Sequence, residues 1–102
     1  MPYTVTLVAT KPQGVAWWNY PLGSANDQAK IQLFDWIAQQ PGYLRVELIP
    51  TSENVSTNIF TFETEELYQA MATNLVLKPA AITRSEYNSA NGITWTSSAV
   101  TT

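Results

Sequence analysis

The stretch Trp17-Trp18-Asn19-Tyr20 puts three large aromatic rings and one amide in consecutive positions. Such a group suits a pocket for a flat apolar ligand, the rings supplying apolar area and Asn19 a hydrogen-bond donor. The same aromatics would also seal the open end of a sheet or fill a subunit contact, where aromatic residues are enriched. Trp36 lies two positions after Phe34. On a helix such neighbours point to different faces, so one belongs to the core and the other is placed to reach the Trp17–Trp18 loop. Plain packing of both is the alternative.

Arg45 and Glu47 fall on the same face of a strand. Inside a barrel this pair would orient a polar or anionic substrate, with Glu47 as a base if desolvation raised its pKa. An ion pair between subunits, or simple exposure, explains the two charges as well. Arg84 and Asn88 are four apart on one helical face, with Tyr87 beside them. Tyr87 would donate a hydrogen bond to an oxyanion; a solvated helix face gives the same pattern. The acidic run Glu63, Glu65 and Glu66 is better explained by the positive end of a helix than by a metal site. The ligand-binding candidates are therefore Trp17, Trp18, Asn19, Tyr20, Trp36, Arg45, Glu47, Arg84 and Tyr87, with no catalytic residue assigned and no metal expected.

The composition removes many schemes. There is no cysteine, which excludes disulfides, thiolate nucleophiles and zinc–thiolate sites. There is no histidine, which removes the commonest metal ligand, the usual base near neutral pH and the usual proximal ligand of haem. No glycine-rich phosphate loop or nucleophile elbow occurs, so no cofactor is expected. The net charge is −3 and the five basic residues are scattered, which argues against nucleic acid and against an anionic membrane surface as partners. No apolar stretch approaches the ~18 residues of a membrane span. Met1-Pro2-Tyr3-Thr4 lacks the basic start and apolar run of a signal peptide, so a cytoplasmic location is expected.

The elements that must position these residues follow from periodicity. Tyr3–Thr10 alternates apolar residues with threonine, a half-buried strand. After a loop from Val15 to Gly23, Ser24 or Asn26 caps a helix reaching Gln40, with Ile31, Phe34, Ile37 and Ala38 as its apolar stripe, widened by Leu33 and Trp36. Pro41-Gly42 stops it. Tyr43–Ile49 is a second strand, Pro50–Asn54 a turn, and Ser56–Glu63 a third strand. Thr64 caps a helix whose stripe is Leu67, Ala70, Met71 and Leu75. A further helix spans Ala80–Ala90 and closes at Asn91-Gly92. Ile93–Ser98 alternates again as the last strand, and Ala99–Thr102 is expected to fray.

The order β-α-β-β-α-(α)-β is the split βαβ pattern of an α+β, ferredoxin-like fold, one domain over residues 1–102 with an antiparallel four-stranded sheet and helices on one face. The helix side is expected to collect Val5, Leu7, Leu44, Val46, Leu48, Phe60, Phe62 and either Ile93 or Trp95. The far side collects Thr4, Thr6, Val8, Tyr43, Arg45, Ile49, Ile59 and Thr61, which is too apolar for open water, and no second helical layer is left to cover it. A second copy would, so a homodimer is expected. Charged residues are only 13% of the chain, about half the usual ~25%, in keeping with surface buried against a partner.

Three segments carry a family likeness: the helix end Gln40-Pro41-Gly42-Tyr43-Leu44, the passage from Phe60-Thr61-Phe62 through Glu63-Thr64-Glu65-Glu66-Leu67-Tyr68, and Arg84-Ser85-Glu86-Tyr87-Asn88 running into Asn91-Gly92-Ile93. In this order the chain resembles the dimeric α/β-barrel superfamily, which includes the antibiotic-biosynthesis monooxygenase-like proteins. The resemblance implies two sheets facing each other across a dimer axis and a pocket between each sheet and its helices. It does not imply one activity, since members include cofactor-free oxygenases, isomerases and haem-handling proteins. The haem-handling members rely on a histidine that this chain lacks. Two functions stay open: a protein that binds a small apolar or aromatic molecule, with a cofactor-free monooxygenase-like or isomerase-like activity as its catalytic form, and a non-catalytic structural dimer. A cavity with convergent polar groups in its wall separates them.

Overall fold

The computed structural model describes residues 1–102. Four strands and three helices follow one another as β1 (Tyr3–Thr10), α1 (Ala25–Ala38), β2 (Tyr43–Ser52), β3 (Val55–Phe62), α2 (Glu65–Leu75), α3 (Pro79–Ala90) and β4 (Thr94–Thr101). The sheet is antiparallel throughout, in the order β2-β3-β1-β4, and its helices pack on one face. This is the ferredoxin-like α+β architecture.

Local chemistry sets the element ends. Ser24 caps α1, its hydroxyl accepting from the Asp27 amide at 3.2 Å. Thr64 does the same for α2, accepting from the Leu67 amide at 3.2 Å. Gly42, between α1 and β2, has φ +83°, and a Cβ there would stand 2.5 Å from Leu67 Cδ1. Only glycine lets the turn and α2 approach so closely.

The core sits between β1, β3 and the first two helices: Ile37, Phe60, Phe62 and Met71, with Leu7, Phe34, Tyr43, Val46, Leu67 and Tyr68 packed around them. Phe62 is fully enclosed, meeting Tyr43 and Tyr68 edge-on at 5.9 and 5.7 Å between centroids. Edge-to-face aromatic contacts add about 0.5–1.5 kcal/mol each beyond the area they bury.

Three expectations need correction. Tyr43 lies on the helix side, and Leu44 leaves it, 46% exposed. The register slips there, Tyr43 facing Phe62 while Arg45 faces Thr61; the extra residue of a β-bulge turns every earlier side chain to the other face. On α1 the buried residues are Leu33 and Ile37, whereas Ile31 is exposed. The stripe follows the i, i+4 row rather than the row through Ile31. Finally, Ala99–Thr102 does not fray. β4 pairs with β1 as far as Tyr3 opposite Thr101, and the Thr102 amide donates to the Pro2 carbonyl at 2.9 Å. The full length of β1 offers free backbone groups on that edge, and these hold a Ser/Thr-rich segment whose side chains alone signal little.

The face away from the helices carries Thr4, Thr6, Val8, Arg45, Glu47, Ile49, Ile59, Thr61 and Val100, as the pairing registers require. No element of the chain covers it. No helix is long and apolar enough to cross a membrane.

Candidate functional site

Two clefts adjoin on the helix side. The first is a chamber of about 550 Å³ between the sheet and the helices. Leu7, Asn58 and Phe60 form its floor, Leu33, Phe34 and Ile37 of α1 one wall, Met71 and Leu75 of α2 another, and Arg84 and Asn88 of α3 a third. The second cleft, about 530 Å³, opens where the loop after β1 meets the far ends of β2 and β3, and Lys11, Trp17, Asn19, Tyr20, Lys30 and Leu48 line it. Asn58, Arg84 and Trp95 belong to both.

The local reasons are simple. Along β3, residues 58, 60 and 62 share one face, so Asn58 follows Phe60 and Phe62 inward and is only 5% exposed. Its amide takes no part in the side-chain hydrogen bonds of the fold, and neither does that of Asn88, which is also buried. Both side chains line the chamber, which leaves their amides open to it; the buried side-chain group without a partner is the Trp18 indole N–H. Arg84 and Asn88, one turn apart on α3, point the same way. The Arg84 guanidinium lies 5.1 Å from the Trp95 ring centroid, a cation–π distance. No carboxylate pairs with it, since the one ion pair of the fold joins Arg45 and Glu47. Burial holds the Arg84 pKa below its ordinary value. Lys30 is lowered too, first by burial, then by the charge of Arg84, with Asp27 partly offsetting both. Tyr68, in the chamber wall, is raised by burial and by Tyr3, so its hydroxyl stays protonated and able to donate.

Of the residues singled out in sequence, Trp17, Asn19, Tyr20 and Arg84 converge on the second cleft. Asn19 does not offer its donor there, because its amide nitrogen gives to Asp27 Oδ1 at 3.3 Å. Trp18 turns away into the interior, buried, with its indole N–H unpartnered. Trp36 packs at the edge of the core under the Lys78 ammonium, 4.5 Å from its ring centroid. Arg45 and Glu47 pair at 3.3 Å on the open face of the sheet. Tyr87 leaves the face of Arg84 and Asn88, and its hydroxyl donates to the Ala16 carbonyl at 2.7 Å. Trp18, Trp36, Arg45, Glu47 and Tyr87 therefore line neither cleft. Sequence reasoning passed over Asn58, Lys11, Lys30 and Trp95. Asn58 left a usable signal, an amide at an inward position of a strand otherwise carrying Phe60 and Phe62.

The arrangement accepts an apolar body and presents amides, a hydroxyl and a guanidinium to its polar atoms. No side chain in it is a nucleophile with an adjacent base.

No family model matches the chain, and no curated protein matches it in sequence. Solved structures do match over nearly its whole length. SnoaB of Streptomyces nogalater, a cofactor-independent oxygenase, superposes with a TM-score of 0.65 at 16% identity, over 99% of this chain and 92% of its own. A monooxygenase of Streptomyces coelicolor, in complex with nanaomycin D, gives a TM-score of 0.62 at 17% identity, over 97% of this chain and 86% of its own. A dimeric ferredoxin-like protein from an uncultured marine organism gives 0.67 at 14%, over 98% and 93%. At these identities the likeness is one of fold. This chain accordingly has the ferredoxin-like fold shared by the antibiotic-biosynthesis monooxygenase-like proteins.

Proposed function

We propose that this protein is a cytoplasmic homodimer of one ferredoxin-like domain per chain, binding a small apolar or aromatic molecule in the chamber between sheet and helices. The observation that carries the reading is the chamber itself: about 550 Å³, within the ~300–1,000 Å³ of ligand sites, mostly apolar, with the amides of Asn58 and Asn88 and the guanidinium of Arg84 converging on it and Ser85, Glu86 and Ser89 also in its lining. A purely structural dimer gives no reason for two amides and a guanidinium to converge on one largely apolar chamber.

Fluorescence tests this directly, because Trp95 borders both clefts and Trp36 neither. Titration with planar aromatics, quinones and fatty acids is expected to give saturable quenching and a raised melting temperature. Trp95→Phe is expected to remove most of the quench and Trp36→Phe to leave it. A flat response across the panel would leave only the structural dimer.

A second reading, a cofactor-free monooxygenase-like enzyme, is favoured by the activities of two fold neighbours, the oxygenase from Streptomyces nogalater and the monooxygenase that holds nanaomycin D. Any oxygenation here would draw its electrons from the substrate, which must itself be electron-rich. Oxygen uptake on mixing with each bound aromatic, absent without protein, is the expected sign.

A further inference from the structure

We propose that the second cleft is an anion subsite, so that the molecule bound here is an amphiphile: an aromatic body in the apolar chamber joined to a carboxylate seated against Lys11, Lys30 and Arg84. This rests on the reading above and names the class of ligand within it.

The distribution of charge is the first observation. The chain is acidic overall, with a net charge of −3 and only five cations. Three of those five line this one cleft. The carboxylates around it do not neutralise them. Glu53 stands on the exposed rim. Asp27 is held by the Gly23 amide at 2.9 Å and by Asn19. Glu86 belongs to the apolar chamber, and none of the three forms an ion pair with Arg84, Lys30 or Lys11.

The second observation is the state of the cations. Arg84 is half-buried with its guanidinium against the Trp95 face, and Lys30, also half-buried in the same cleft, lies close enough to feel its charge. Two like charges held close in a partly desolvated cleft repel each other. An entering anion offsets that repulsion. The third observation is position. Asn58, Arg84 and Trp95 line both cavities, so one molecule occupying both passes directly beside the guanidinium. A planar fork of donors matches a carboxylate bidentately, and Trp17 and Trp95 supply flat walls. Phosphate is the poorer occupant, since no glycine-rich loop or cradle of backbone amides is present.

Anthracene-2-carboxylate and its uncharged carboxamide share one apolar body and separate the two claims. The acid is expected to bind at least about tenfold tighter than the amide, as a charge-assisted bond at a partly desolvated site implies, and to weaken as salt is raised. Lys30→Gln, at a residue that lines only the second cleft, should weaken the acid several-fold while leaving the amide within about twofold, and Arg84→Gln, at one that borders both cavities, should weaken the acid more than the amide. Lys11→Gln, at the start of the loop after β1, repeats the test should either of these variants fail to fold. Equal affinity of acid and amide overturns the anion subsite alone. Binding of neither overturns the chamber reading with it. Displacement of the acid by phenyl phosphate at lower concentration than by benzoate overturns the choice of carboxylate.

Discussion

The guanidinium of Arg84, on α3, stands 5.1 Å from the ring centroid of Trp95, on β4, and these two side chains divide the space under the sheet into an apolar chamber and a cationic cleft. The pair joins the last helix to the edge strand by a contact that needs neither a carboxylate nor a hydrogen bond. What it leaves unsatisfied is the five-donor fork of the arginine, and that is the chemistry the site offers.

Asn58→Leu is expected to stabilise the fold while removing function. The leucine completes the inward row of Phe60 and Phe62 and replaces with apolar area an amide that makes no side-chain hydrogen bond. The gain should be about 1 kcal/mol in urea unfolding, and affinity for planar aromatics should fall about tenfold or more. A destabilised variant would mean that the amide is already satisfied in the native protein, and the polar floor of the chamber would have to be redrawn.

Much of the fold was legible because its signals are local. Alternation from Tyr3 to Thr10, the Ser24 and Thr64 caps and the Pro41-Gly42 stop each act within a few residues. The bulge at Leu44 was not legible, since it is set by how β2 must lie against β3, and it moved Tyr43 to the core. The site was legible only in part for the same reason. Trp17, Asn19 and Tyr20 share a loop and so share a cleft, but Arg84 acquires its role from Trp95, Lys30 and Asn58, which are adjacent only in space. Trp36, Arg45 and Glu47 have the right chemistry and stand elsewhere.

Tyr87→Phe should loosen the loop that carries Trp17 to Tyr20. The hydroxyl gives its proton to the Ala16 carbonyl at 2.7 Å, and it is the one side chain of α3 that hydrogen-bonds to that loop. Loss of about 0.5–1.5 kcal/mol is expected, together with faster amide exchange in residues 15–20 and unchanged exchange in β3. Uniformly faster exchange across the sheet would show that the tyrosine supports the whole fold instead of the loop.

Ile59→Glu should shift a homodimer towards monomer in sedimentation at micromolar concentration. Ile59 sits mid-strand on the uncovered face, directly opposite Glu47, so the new carboxylate meets both an apolar contact and a like charge. Burial of such a side chain contributes about 1.5–3 kcal/mol, and a two-fold interface carries it twice. Ile59→Lys would face Glu47 favourably within the monomer and is expected to dissociate the dimer as well. An unchanged dimer in both variants moves the interface off this face.

The pH dependence of stability should carry the mark of Lys30. Its pKa is held below the ordinary 10.5 in the folded chain, by burial first and then by Arg84, against a smaller opposing pull from Asp27. A lysine depressed on folding binds fewer protons in the native than in the unfolded state across the interval between its two pKa values. Stability from this group therefore rises with pH through that interval, and its penalty is fully present below the folded pKa. Lys30→Gln should raise the urea midpoint at pH 7, and that advantage over the natural chain should shrink as pH climbs towards 10.5. Tyr68, raised from 10.0, runs the other way, because its neutral form is favoured on folding and stability is lost as pH rises past its unfolded value; making both measurements in a Tyr68→Phe background removes that contribution. A Lys30→Gln variant no more stable than its parent at pH 7 would show that the ammonium is already compensated in the empty cleft, and the cationic strain inferred there would be absent.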